Sequence, residues 1–148
     1  MLSIDTNILL HAFDEDSPQH EAAYAWLSSI PRDSEVAISE FVLAELYGLL
    51  RNPAVLAHPL SSDEAVEVVQ AYRFHPRWRL IGFPAESRSF HDRVWRHARA
   101  RHFAFRRIYD VRCALSMISQ GVTEFATANV KDFDGLGFRR AWNPLASR

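Results

Sequence analysis

Met1-Leu2-Ser3-Ile4-Asp5-Thr6-Asn7-Ile8-Leu9-Leu10 opens the chain with a short strand-like run, Leu2 to Ile4, that ends on an aspartate and passes directly into a second apolar segment. In open α/β sheets the ligand crevice lies beyond the carboxyl ends of the strands. An acid at the first strand-to-helix junction is therefore placed for metal or phosphate chemistry. Further strand candidates are Val36–Ile38, Arg79–Gly82 and Glu124–Ala126, each followed by helix-like or turn-like sequence. That alternation predicts an α/β fold with a parallel sheet sandwiched by helices.

Between the strands the helical signals are local and specific. Pro18 suits the first turn of a helix over about Gln19 to Ile30, where Ala22, Ala23, Trp26, Leu27 and Ile30 repeat at helical spacing before Pro31 stops it. Ser39 is positioned as the N-cap of a helix reaching about Asn52-Pro53. Ser61 and Glu64 have the spacing of a capping box. A long amphipathic helix is expected from Glu86 to about His102, and another from Asp110 to Gln120 with Gly121 at its C-terminal cap position.

At 148 residues the chain has the size of one domain, residues 1–148. A single cysteine, Cys113, excludes an internal disulfide. The absence of a signal-like leader or a long apolar run makes a cytoplasmic protein the expectation. The formal net charge of −1 hides a division: residues 1–70 carry twelve acids against Arg32 and Arg51, whereas residues 71–148 carry six acids against fifteen bases. Such polarity suits a polyanion on one surface and a basic partner or a metal on the other, or two halves that attract each other. All the bases but Lys131 are arginine, the residue for forked contacts to phosphate or carboxylate. The densest stretch, Arg88 to Arg112, interleaves Arg93, Arg96, Arg99, Arg106 and Arg107 with Phe90, Trp95, Phe103, Phe105 and Tyr109. Arginines on phosphates with aromatics on bases suit single-stranded nucleic acid. A solvated helix face over core aromatics would produce the same pattern.

The acids at strand and helix ends form the candidate site. On a helical projection Glu45 falls inside the apolar arc of Phe41, Val42, Leu43, Leu46, Leu49 and Leu50, so it is expected to face something polar near the domain centre, or to pair with an arginine at the rim. Asp5 and Asp110 stand where an aspartate could cap a helix, or where helix N-termini gather anions into a crevice. Asp132 can shape the turn Lys131 to Gly135 or ligate an ion, and Thr127 and Asn129 at the strand end can hydrogen-bond a ligand. Several carboxylates without histidine match hard Mg²⁺ or Mn²⁺, which neutralises a phosphate, activates a water and stabilises the leaving oxygen in phosphodiester cleavage. Their mutual repulsion should raise some of their pKa values. The seven histidines lack zinc-site spacing, Cys113 has no CxxC partner, and P-loop, GxGxxG and GxSxG motifs are missing. A phosphohydrolase with Asp5 as nucleophile lacks its Asp-x-Asp, because residue 7 is asparagine.

Taken in order, Ile4-Asp5-Thr6-Asn7-Ile8-Leu9-Leu10, Ser17-Pro18-Gln19-His20-Glu21-Ala22-Ala23 with Trp26-Leu27, the helix carrying Glu45, Tyr109-Asp110 before a helix ending at Gly121, and Thr127-Ala128-Asn129-Val130-Lys131-Asp132-Phe133 resemble the PIN-domain ribonucleases, and within them the VapC toxins of bacterial toxin–antitoxin pairs. The closing Trp142-Asn143-Pro144-Leu145 is similar to one VapC subgroup. The resemblance implies a PIN-like three-layer α/β/α fold with a four- to five-stranded parallel sheet, and a Mg²⁺- or Mn²⁺-dependent endoribonuclease acting on structured RNA, a transfer RNA or a ribosomal RNA loop, leaving a 5′-phosphate and a 3′-hydroxyl. Asp5, Glu45 and Asp110 match the three principal acids of the family. Where the family commonly has a fourth acid this chain has Asn129, with Asp132 matching a further aspartate, so Asp5, Glu45, Asp110, Asn129 and Asp132 form the expected metal set, and Asp132 joins the first three as catalytic. Thr6, Asn7 and Thr127 are expected behind them, with Arg93, Arg96, Arg99, Arg106 and Arg107 on the RNA. Val111 and Cys113 replace the small or polar residues the family pattern has after the third acid. A VapB-like antitoxin would fill the acidic pocket with a basic side chain, and the toxin would pair as a homodimer. The alternative is a non-catalytic PIN-like module that binds RNA or protein.

Overall fold

The computed structural model describes residues 1–146. Five strands and seven helices follow one another as β1 (Leu2–Ile4), α1 (Thr6–Phe13), α2 (His20–Ser29), β2 (Val36–Ser39), α3 (Glu40–Leu50), α4 (Ser62–Arg73), β3 (Arg79–Ile81), α5 (Ser87–Ala98), α6 (Arg107–Ser119), β4 (Glu124–Ala126), α7 (Val130–Phe133) and β5 (Arg140–Trp142). The strands form one sheet in the order β3-β2-β1-β4-β5, and every pair is parallel. β1 lies at the centre, with Leu2 opposite Val36 on one side and Glu124 on the other. Among the described residues no helix is long and apolar enough to cross a membrane.

Side chains alternate across a strand, and here the alternation divides the core in two. Leu2, Ile4, Val36 and Ile38 pack with Ile8, Leu9, Val42, Leu43, Leu46 and Leu50 beneath α1 to α4. Ala37, Ile81 and Phe125 point the other way, into a cluster with Phe90, Val94, Val111, Ala114 and Met117 of α5 and α6. The sheet is thus the middle of three layers. Short strands buried on both faces are the expected outcome of crossover helices in a parallel sheet.

Local signals account for most element ends. Ser39 caps α3 by accepting from Phe41 N, and Ser61 with Glu64 closes a full capping box on α4. Gly121, at φ +93°, follows α6 in the left-handed conformation that ends helices at glycine. Two expected helices are corrected. The one expected to reach His102 ends at Ala98, and His102 itself takes φ +63° in the turn that follows. The helix expected to open at Asp110 begins at Arg107, because Ala104 to Arg106 make a turn whose Ala104 carbonyl accepts from Arg107 N. Asp110 therefore sits inside the helix and caps nothing.

Candidate active site

Asp5 follows the last residue of β1, and its backbone N–H still donates to Ala126 O of β4 at 2.9 Å. Its φ, ψ are extended, so it is the N-cap of α1. The side chain is buried and held from three directions: Thr6 N donates to Oδ1 at 2.8 Å, Asn7 Nδ2 to Oδ2 at 2.8 Å, and Thr127 Oγ1 to Oδ2 at 2.6 Å. Asn7 in turn accepts from Ala128 N at 3.0 Å, tying the start of α1 to the end of β4. The expected supporting residues Thr6, Asn7 and Thr127 all touch the acids directly. Thr6 Oγ1 reaches the other way, donating to Glu45 Oε2 at 3.0 Å.

Glu45 is exposed within the apolar arc of α3, where that face of the helix opens onto a cavity of about 460 Å³. Asp5, Glu45 and Asp110 line that cavity together with Arg106, Arg112, Tyr109 and Phe41. Residues from three elements, separated by as much as two thirds of the chain, converge beyond the carboxyl end of β1. Burial raises the Asp5 pKa to about 6 against the opposing hydrogen bond from Thr127, and the charges of Glu45 and Asp110 add to the rise. Asp110 is also pushed up, first by burial, then by Asp132 and Glu45, with Arg107 opposing. Burial holds the Cys113 thiol protonated, and the three acids reinforce it, so Cys113 is an inert wall rather than a nucleophile.

Asp132 and Asn129 take a second rank. Asp132 is exposed on α7 and does not line the cavity, but its charge is felt by Asp110. Asn129 stands at the N-cap position of α7, where its side chain forms no capping hydrogen bond and its N–H donates to Thr127 Oγ1 at 3.0 Å. Among the described residues no three His, Cys, Asp or Glu side chains meet closely enough to cage an ion. The oxygen donors ring a cavity instead of closing on a point. That fits a hard cation that keeps waters and takes substrate oxygens as ligands, and not one clasped by protein alone.

The arginines divide. Arg106 lines the cavity, and Arg107 lies in range of Asp110. Arg93 and Arg96 border a separate hollow with His97 and Leu115, and Arg99 caps the end of α5. In the sequence Arg112 and Tyr109 read only as part of the arginine- and aromatic-rich stretch suited to nucleic acid, and Phe41 only as part of the apolar arc of α3; none is expected at the cavity. The available signal was the spacing of Arg106, Tyr109, Asp110 and Cys113 at i, i+3, i+4 and i+7, one face of α6.

Comparison with known proteins places this geometry. The model of the PIN domain matches residues 2–138. The chain is 46% identical over 147 residues to Ribonuclease VapC24 of Mycobacterium tuberculosis, covering 99% of each. Among solved structures it resembles Mycobacterium tuberculosis VapC20, a sarcin-ricin loop cleaving toxin, with a TM-score of 0.61 and 20% identity over 84% of this chain and 87% of that one. VapBC2 of Rickettsia felis, bound to a fragment of promoter DNA, aligns with a TM-score of 0.64 and 19% identity over 96% and 97%.

Proposed function

The chain belongs to the PIN-domain family, and from that premise we propose that it is a divalent-metal-dependent endoribonuclease, the toxin of a toxin–antitoxin pair. The observation that carries the reading is the convergence of Asp5, Glu45 and Asp110 on one cavity, where burial first, and then the charges of Glu45 and Asp110, raise the Asp5 pKa to about 6. Asp5, Glu45 and Asp110 would hold Mg²⁺ or Mn²⁺, with Asp132 adding charge behind Asp110 and Asn129 an uncharged oxygen at the edge. When bound, the cation supplies charge neutralisation at the phosphate and a more acidic water.

The chain's own residues do the positioning. Three donors fix the Asp5 carboxylate in one orientation and occupy about three of its four lone-pair sites, leaving the remainder for a cation. Thr6 couples Asp5 to Glu45, donating from Oγ1 to Oε2 while its N–H holds Oδ1. Arg106 and Arg112 stand on the same wall as Asp110, where a phosphodiester reaching the acids meets two guanidinium groups. The RNA, by analogy with VapC20, would be a structured loop, met in the cytoplasm. A VapB-like antitoxin would insert a basic side chain among the three acids, and two toxins would pair as a homodimer.

Asp5→Asn keeps the shape of the site and removes its charge. Loss of Mn²⁺-stimulated RNA cleavage with an unchanged circular dichroism spectrum is expected; undiminished cleavage would refute the reading. One observation favours a second reading, a non-catalytic PIN-like module: Asn129 stands where the family pattern has an acid. Calorimetric titration with Mn²⁺ separates the two, since that module should show no saturable binding.

A further inference from the structure

One lip of the acidic cavity carries Arg106, Arg112, Tyr109 and Phe41, with Phe105 next to Arg106 and Phe83 next to Phe41 just outside the lining. Arg112 lies over the Phe41 ring, 4.9 Å from its centroid, and 5.6 Å from that of Tyr109, while Phe83 meets the edge of Phe41 at 4.8 Å. One turn earlier Arg106 sits 5.5 Å from the centroid of Phe105. Three of these rings face water: Phe105 is 81% exposed, Phe83 68% and Tyr109 63%. Neither arginine forms an ion pair with the acids across the cavity among the described residues, and Arg112 Nε is buried with no hydrogen-bond partner.

Tyr109 at the cavity, with Phe105 and Phe83 beside residues that line it, leaves apolar surface in water that a partner would cover. The partner must offer flat apolar faces for the rings and anionic oxygens for the guanidinium groups, repeated at short spacing. Single-stranded RNA has both, because each unstacked base has a π-face and each phosphate a charge. A duplex presents its bases edge-on and cannot stack on the lip.

We propose that Phe105 and Tyr109 are stacking platforms for unpaired bases next to the phosphodiester to be cut, with Arg106 and Arg112 on the flanking phosphates and Phe83 extending the platform. The inference rests on the ribonuclease reading and deepens it by naming the groups that select unstacked RNA. These residues hold the RNA and take no part in the chemistry itself.

The test is fluorescence anisotropy with labelled ten-nucleotide oligo-A and oligo-U and with a paired RNA duplex, in EDTA so that nothing is cleaved. Phe105→Ala and Tyr109→Leu should each weaken binding of the single strands about tenfold, within the range of one base–aromatic contact, and leave duplex binding unchanged. Tyr109→Phe, which keeps the ring, should bind as the wild type does. The slope of log Kd against log salt should not move for the ring variants, and should fall by about 0.7 for Arg112→Gln. Both rings are exposed, so the variants should melt with the wild type. Single-strand binding equal to wild type in Phe105→Ala and Tyr109→Leu overturns the proposal, and leaves the nuclease reading intact if the wild type cleaves RNA. If sedimentation shows instead that those variants turn a dimeric chain monomeric with RNA binding unchanged, the lip is a contact between copies and the proposal falls. Cleavage surviving Asp5→Asn would remove the nuclease reading alone, because the anisotropy requires no catalysis.

Discussion

The β1–α1 junction and α3, on one face of the sheet, bring Asp5 and Glu45 to the crevice, whereas α6, on the other, brings Asp110 together with Arg106 and Arg112. The first side is locked: Asp5 accepts three hydrogen bonds and Glu45 accepts from Thr6. The second side carries Arg106, Asp110 and Arg112 at the start of α6, all lining the cavity, with no ion pair to the first among the described residues. Among the described residues the ion pairs are Arg73 with Glu40 and Arg139 with Glu124, and neither reaches the cavity. Arg73 with Glu40 joins the basic rear to the acidic front at one point, and the charges at the cavity are not spent on such a pair. Opposite charges left side by side and unpaired remain available to a cation and a polyanion bound at once.

The harshest way to break that comparison is to discharge each side in turn. Glu45→Gln and Asp110→Asn should each lower Mn²⁺-dependent kcat for RNA cleavage about a hundredfold or more, the size of removing one electrostatic contribution from an active site. Single-turnover assays on a labelled RNA measure it. An unimpaired Glu45→Gln would show that the locked side supplies structure alone.

Next in size is a stability effect that centres on Asp5 of the locked side. The folded Asp5 pKa of about 6 exceeds its unfolded value of 3.8, so the native state holds the proton more tightly. Stability on this account is full below pH 4 and is lost as pH rises through 6; the shift corresponds to an upper bound of about 3 kcal/mol. Asp110, raised in the same direction, adds to the loss. Urea unfolding in EDTA should show the metal-free wild type weaker at pH 7.5 than at pH 5, and Asp5→Asn should flatten the profile. The gain in the variant stays below the bound, because its amide would face the donors Asn7 Nδ2 and Thr127 Oγ1 where a carboxylate accepted from both. Mn²⁺ should restore wild-type stability at pH 7.5 and leave Asp5→Asn unmoved.

What could be read without coordinates follows the same division. The acid at the end of β1, the Ser39 cap, the Ser61–Glu64 box and the Gly121 stop are local: each follows from a few adjacent residues and backbone hydrogen-bonding needs. Glu45 was legible because a charge in an apolar arc demands an explanation. The edge strand β5 was not, since Arg140–Trp142 is only partly buried and shows no alternation. α7 is four residues long, too short for periodicity to declare itself. The start of α6 depends on a turn without a side-chain cap, so its sequence offered no N-terminal mark. Which arginines reach the acids was the hardest part, because sequence density cannot say that α5 and α6 present their guanidinium groups to different hollows.

That last point sets the smallest effect expected. Arg93 and Arg96 share the arginine-rich stretch with Arg106 and Arg112 but border a separate hollow that none of the three acids lines. If RNA follows the crevice, the double variant Arg93→Gln/Arg96→Gln should change Kd for a single-stranded oligonucleotide by less than about twofold near physiological salt, where charges more than about 8 Å apart are largely screened. Arg106→Gln alone should cost more than the pair. At low salt, where screening reaches about 30 Å at 0.01 M, the double variant should slow association while dissociation stays unchanged, since distant charges steer encounter rather than hold the complex. A double variant weaker than Arg106→Gln at physiological salt would place the RNA path along α5, and the contrast between the two layers would have to be redrawn around the arginines instead of the acids.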